Sequence, residues 1–258
     1  MRLFDTHTHL NFESFDIDRE DVIKFCVQNG IVGMINAGCD VKTTADSIAL
    51  AEMYPFIYAT AGIHPEYASE VTEEDITRIR LMAINKQVVA LGEFGLDYYH
   101  EPYDKEKQLD LFRKQMELAK KIKKPVMLHI REAYDDAYEV MKEFPEIKGV
   151  VHCFSADMEF AKKAFALGYY IALGGVLTYS SAPSVQEVGA KFPLNRIILE
   201  TDCPFLAPDR KSRNTPMGVK PVFLKLCELR KESPNIIEEQ LLQNVCDLFG
   251  LKLKKFRH

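Results

Sequence analysis

The 258-residue chain has no CxxC pair, no apolar stretch of 18 residues, no low-complexity tract or internal repeat, and no surplus of positive charge. Each lack removes a class of protein. Six widely spaced cysteines (Cys26, Cys39, Cys153, Cys203, Cys227, Cys246) in a chain too long to need staples read as reduced thiols. The amino terminus, MRLFDTHTHL, shows no basic region followed by an apolar run of signal length, which predicts no membrane association and a cytoplasmic location. Lys and Arg total 33 against 38 Asp and Glu, a formal charge of −5. That balance argues against broad attraction to polyanions and leaves room for a local phosphate grip. With 47% hydrophobic and 28% charged residues, the composition excludes disorder, collagen and coiled coil, and it supplies a sizeable core.

What is present is a regular alternation. Short β-branched runs at 2–5, 31–36, 57–62, 88–92, 126–129, 149–152, 170–174 and 196–200 predict eight strands. Helix-period segments near 18–29, 43–53, 72–84, 104–123, 133–143, 157–167 and 183–191 lie between them, and two more follow at 217–231 and 235–249. Leu109, Phe112, Met116 and Ala119 mark one face of the 104–123 helix, which stops before Pro125. Continuous apolar runs suit parallel strands covered on both faces. Eight such units in this length are the arithmetic of a single (β/α)8 TIM barrel over residues 1–258, with an extra C-terminal helix, whose active site lies at the carboxyl ends of the strands. An open doubly wound sheet would bring a glycine fingerprint after its first strand, where this chain has Thr6-His7-Thr8-His9. The tail from Leu251 to His258 holds four Lys or Arg and reads as a solvated or docked basic end.

Of seven histidines, His7, His9, His129 and His152 sit at or just beyond predicted strand ends, as do Glu93 and Asp202. One such histidine alone would be a satisfied core residue or a cap. Four histidines and two acids converging on one rim need a cation to make the cluster tolerable. The spacing of His7 and His9 puts both side chains on one side of an extended chain, in reach of one ion. His129 and His152 could hold a second, with a carboxylate bridging, an arrangement suited to phosphoryl displacement. Nitrogen and oxygen donors fit zinc, manganese, iron, cobalt, nickel or magnesium, and the histidine count leans away from an all-oxygen magnesium site.

These residues carry a resemblance. FDTHTHL at 4–10, AGIHPE at 61–66, GEFGLDYY at 92–99, KPVMLHIREA at 124–133, HCFSA at 152–156, ETDCPFLAP at 200–208, RNTP at 213–216 and NVCDLFG at 244–250 resemble the TatD-related metal-dependent deoxyribonucleases, within the barrel superfamily of metal hydrolases. The resemblance spans nearly the whole chain. It implies that His7, His9, Glu93 and Asp202 surround a first metal and that Glu93 bridges to a second held by His129 and His152. It further implies a magnesium- or manganese-supported hydrolase of DNA phosphodiester bonds, a 3′ to 5′ exodeoxyribonuclease acting on single-stranded or frayed ends, with no obligatory protein partner. Some relatives of this kind are linked to deacylation of mischarged tRNA, so an amide or ester hydrolase of the same superfamily is the alternative. Many such enzymes bridge their metals with a modified lysine, and no lysine here occupies a comparable strand end.

Within that frame Asp202 is the expected general base and Glu93 the bridge, since a carboxylate has two oxygens to share. His64 is expected to orient substrate or to bond a metal-bound carboxylate. Arg131, two residues after His129, is the leading candidate for a phosphate fork, with Arg213 and Asn214 a second grip in the long loop at 204–217. Asp97 and Tyr98 are expected on the loop after Glu93. Cys203 and Cys153 read as small packed residues, not nucleophiles. Two departures from the family's pattern stand out: Ala156 where glycine is common, and Thr215 where an acid is usual.

Overall fold

The computed structural model describes residues 1–253, so the expectation for the basic tail falls largely outside the described residues. Eight strands alternate with helices: β1 (Leu3–Thr8), α1 (Arg19–Gln28), β2 (Ile31–Asn36), α2 (Val41–Met53), β3 (Ile57–Ala61), α3 (Glu73–Ala83), β4 (Val88–Asp97), α4 (Lys105–Ile122), β5 (Val126–Arg131) and α5 (Tyr134–Glu143). The order continues through β6 (Gly149–Val151), α6 (Met158–Ala166), β7 (Tyr170–Leu173), α7 (Pro183–Lys191), β8 (Ile197–Leu199), α8 (Val219–Leu229) and α9 (Pro234–Phe249). The strands pair in parallel in sequence order, β1 to β8.

The β8–β1 seam closes largely through the residues that follow β8. Thr201 donates its amide and hydroxyl to the two oxygens of Asp5 at 2.9 and 2.6 Å. The Asp202 amide reaches the His7 carbonyl at 3.0 Å, and the His9 amide reaches the Cys203 carbonyl at 2.8 Å. The result is the (β/α)8 barrel with its extra C-terminal helix that the alternation predicts.

Phe4, Ile35, Ala90, Met127, Val150, Tyr170, Ala172 and Ile198 form one apolar cluster with Val245, Leu248 and Phe249 of α9. Asn244 of α9 donates to the carbonyls of Leu194 and Ile197 at the start of β8, so this helix plugs the end of the barrel away from the histidines. A second, larger cluster fills the layer between sheet and helices, including Leu111, Phe112 and Met116 of α4. Among the described residues no helix is long and apolar enough to cross a membrane.

Three strands outrun their sequence boundaries, β5 by running past His129 to Arg131. β1 continues past Asp5 through Thr8, and β4 continues past Gly92 to Asp97. The extension of β4 depends on glycine: Gly92 and Gly95 take φ of +147° and +151°. A Cβ at Gly95 would fall on the His129 carbonyl, and one at Gly92 would lie 2.6 Å from the Met127 carbonyl. Their bare backbones let β4 run against β5 across a register shift between Leu91 and Phe94. Glu93 and Asp97 are therefore strand residues facing a packed neighbour, and Asp97 is not on a loop.

Candidate metal centre

All six residues expected around the metals meet at the barrel mouth, and Glu93 is their hub. Its Oε2 lies 3.2 Å from His7 Nε2 and 3.6 Å from His9 Nε2. Its Oε1 lies 2.8 Å from His152 Nε2 and 2.9 Å from His129 Nδ1. Asp202 joins the first group, with Oδ1 3.4 Å from His9 Nε2 and 3.7 Å from His7 Nε2. The ring nitrogens of His7 and His9 approach each other to 3.1 Å, and those of His129 and His152 to 3.3 Å. Among the described residues four sets of donors lie close enough together to hold a divalent ion: His7, Glu93 and His152; His7, His9 and Asp202; His9, Cys39 and Glu93; and His64, Glu93 and His129.

The second nitrogen of each histidine tells which lone pair faces the centre. His129 Nε2 lies 2.8 Å from Asp97 Oδ2, and His152 Nδ1 lies 3.4 Å from Glu200 Oε1. His7 Nδ1 meets the Met127 thioether sulfur at 2.9 Å, and His9 Nδ1 faces the Cys39 thiol at 3.8 Å. A proton on each outward nitrogen leaves the inward nitrogen as a free donor, the tautomer a metal ligand needs. Converging lone pairs with too few protons between them are the chemistry of a cation site, and the donor set fits one.

The electrostatics agree. Burial opposes a charge on Glu93, yet the charges of His152 and His7 and bonds from His129 and His152 hold its carboxyl well below the ordinary range. Burial likewise opposes ionised Asp202, and the bond from His9 with the charges of His152 and His7 overrides it. Against their own burial, His152 is pushed well up by Glu93 and Glu200, and His129 is pushed up by Asp97 and Glu93. His7 goes the other way, lowered by burial and by the charge of His152.

The expected substrate residues separate. His64 is buried at the centre's edge, its Nε2 3.7 Å from Glu93 Oε1 and its Nδ1 accepting the Glu66 amide at 3.3 Å. Arg131 ends β5, exposed, its guanidinium stacked 3.8 Å from the centroid of the Tyr99 ring. Arg213 is already engaged: it forks onto Asp18 at 3.0 and 2.6 Å, bonds the Ser14 carbonyl and covers the Phe15 ring. Asn214 is buried, and its amide donates to the carbonyls of Thr201 and Phe205 at 2.9 and 2.8 Å. These two hold the long loop in place and have little left to offer a phosphate. Cys203 is fully buried, as a packed thiol should be. Lys124, just before the start of β5, points its ammonium at the carbonyls of Ala83, Asn85 and Val88, near the amino-terminal end of β4.

The structure adds partners that the sequence hid. Besides Asp5, Glu200 and Met127, two glutamines of α4 grip the backbone beside the site: Gln115 exchanges bonds with Ile63 at 2.8 and 2.9 Å, and Gln108 with Asp97 at 2.8 Å each way. Gln108 and Gln115 lie seven residues apart on the buried face of α4, and a polar pair interrupting an apolar stripe was the available signal.

The profile of the family described as TatD related DNase matches residues 4–250. An uncharacterised metal-dependent hydrolase of Bacillus subtilis, YabD, is 37% identical over 96% of this chain and 99% of its own length. The 3′-5′ ssDNA/RNA exonuclease TatD of Erwinia tasmaniensis is 32% identical over 96% of this chain and all of its own. The crystal structure of the TatD homologue YjjV from Escherichia coli superposes with a TM-score of 0.93 at 34% identity, covering 97% of this chain and 99% of that one. The chain belongs to the TatD-related family of metal-dependent hydrolases.

Proposed function

From that membership we propose that the protein hydrolyses phosphodiester bonds at single-stranded or frayed DNA ends, as a 3′ to 5′ exodeoxyribonuclease. The observation that carries this reading is the division of the Glu93 carboxylate, one oxygen toward His7 and His9 and the other toward His129 and His152. Such a division suits two divalent ions, the first among His7, His9, Glu93 and Asp202 and the second among Glu93, His129 and His152. Bound there, they would supply the positive charge that a phosphoryl group develops against and make a nearby water more acidic. Magnesium or manganese is the proposed pair in turnover, with zinc, cobalt, iron and nickel also suited to the donors.

The protein's own groups then have distinct tasks. Asp202, with Oδ1 near both His7 and His9, takes the proton of the attacking water. His64 orients the phosphate beside Glu93. Arg131, already splayed flat on Tyr99, takes a neighbouring phosphate, and no acidic partner claims it among the described residues. Support for DNA as substrate comes from the exonuclease relative of Erwinia tasmaniensis. An amide or ester hydrolase with a lysine-bridged centre gains no support here, because Glu93 stands among His7, His9, His129 and His152 where such a lysine would be needed. The six free cysteines support the reducing cytoplasm as its compartment.

The test is digestion of end-labelled single-stranded DNA, duplex DNA and RNA by protein reconstituted with magnesium, manganese, cobalt or zinc. Stepwise shortening from the 3′ end, and little action on a closed circular strand, is the expected result. Equal cleavage of circular and linear strands would overturn the exonuclease reading, and hydrolysis of amide or acyl esters without any of DNA would overturn the substrate.

A further inference from the structure

Two aromatic rings stand at the mouth in the same relation to two of the site's residues. Phe12 follows His9 by three residues, and its amide closes the turn onto the His9 carbonyl at 3.0 Å. Phe205 follows Asp202 by three residues, and its amide closes the turn onto the Asp202 carbonyl at 2.9 Å. The two turns are fastened together where the His9 amide meets the Cys203 carbonyl. Phe12 lies over the His9 ring at 4.6 Å and 23°. Phe205 stands nearly at right angles to Phe12, 6.2 Å away, and 51% of it is exposed. A scattered exposed phenylalanine needs no explanation, but one propped by a second ring and indexed to His9 and Asp202 does. The opposite wall has a different character: Tyr99, also 51% exposed, carries the Arg131 guanidinium.

We propose that Phe205, backed by Phe12, is the stacking station for the terminal base of the strand, while Arg131 on Tyr99 receives a phosphate further along it. The inference rests on the exonuclease reading and deepens it, by assigning the base to the β1/β8 wall and the continuing backbone to the β4/β5 wall. Stacking on a phenylalanine face is indifferent to base identity, so the station selects for the presence of a base and for an unpaired one. A duplex end must fray before its base can reach Phe205.

The experiment compares the metal-loaded wild type with Phe205→Ala and Phe205→Tyr on single strands ending in an ordinary or an abasic 3′ nucleotide, with metal content measured alongside. In parallel, quenching of 2-aminopurine placed at the 3′ terminus or in the interior is followed on binding. The wild type should prefer the base-bearing end in kcat/KM by roughly 5- to 150-fold, the range of one base stacked on an aromatic ring. Phe205→Ala should collapse that preference toward unity and abolish terminal quenching, and Phe205→Tyr should restore both. Cleavage that ignores the terminal base in the wild type overturns the station and leaves the exonuclease reading intact. Terminal quenching that depends on Phe205 without any cleavage sustains the station and defeats the hydrolytic reading. A strand that is neither bound nor cut defeats both.

Discussion

The two halves of the centre are built from the same imidazoles and backed by different chemistry. On β1 and just beyond it, His7 and His9 turn their outer nitrogens to sulfur, Met127 Sδ and Cys39 Sγ. On β5 and just beyond β6, His129 and His152 turn theirs to carboxylates, Asp97 and Glu200. Sulfur is a weak acceptor, whereas a carboxylate raises the basicity of the imidazole it orients. The protons follow: burial lowers His7, while the carboxylates lift His129 and His152 despite their burial. Without a cation, the His7 ring sheds its proton readily while His129 and His152 store theirs. The walls differ in the same sense, aromatic beside His9 and cationic beside His129.

Glu93 is the one group both halves share, so its replacement removes the distinction and has the largest expected effect. Glu93→Gln keeps the shape and loses the charge, which should lower turnover by about 100-fold or more, on the scale of a lost preorganised electrostatic group. Far-ultraviolet circular dichroism should remain that of the wild type. Normal turnover with two ions bound would show that the halves work independently of this carboxylate.

The stored protons predict a pH signature of intermediate size. His129 and His152 are raised above the ordinary 6.5, so the stability they give is complete below that value and disappears as pH climbs through their folded values. His7 is lowered, so its contribution works against the fold in acid and that penalty fades as pH approaches 6.5. The metal-free protein should therefore melt highest near pH 6.5 and lose stability on the alkaline side. Ions require neutral imidazoles, so their apparent affinity should climb across that same alkaline range, and the loaded protein should not show the decline. Calorimetric melts with and without manganese decide it. A metal-free melting temperature that stays flat from pH 6.5 to about 9 would contradict the division of protons between the halves.

Much of this was legible before the fold, and the rest was hidden for definite physical reasons. The strand ends placed His7, His9, Glu93, His129, His152 and Asp202 on one rim because a parallel barrel gathers the carboxyl ends of its strands there. What backs those residues came from elsewhere in the chain. Met127 precedes His129 by two on β5, so its side chain enters the same interior, but nothing in a VMLH run says that its sulfur meets His7 across the barrel. Glu200 reads as the polar residue that closes the predicted 196–200 strand, and only the fold turns it inward to the Cys153 amide and the His152 ring. Arg213 and Asn214 were promising as cation and amide in a long loop. Sequence spacing could not reveal that Asp18, 195 residues away, already occupies the arginine. Long-range pairing is what the one-dimensional pattern leaves out.

The smallest expected effect gives the sharpest comparison of the two backings. Met127→Leu removes the sulfur facing His7 and nearly conserves volume in a cluster where Met127 is wholly buried, so its stability cost should stay below about 1.5 kcal/mol. Asp97→Asn on the other half keeps Oδ1, which accepts the Tyr99 and His100 amides, but replaces a charged acceptor of His129 with a neutral amide. It should weaken one ion about 10- to 100-fold, the range of a lost partner behind a ligating histidine, while Met127→Leu should shift the other by less than about tenfold. Isothermal titration with manganese resolves the two, provided each variant melts cooperatively. If Met127→Leu costs as much affinity as Asp97→Asn, the thioether is holding the His7 proton as firmly as a carboxylate holds that of His129. The halves would then differ in composition without differing in hold, and the 2.9 Å contact would have to be counted as a full hydrogen bond rather than as packing.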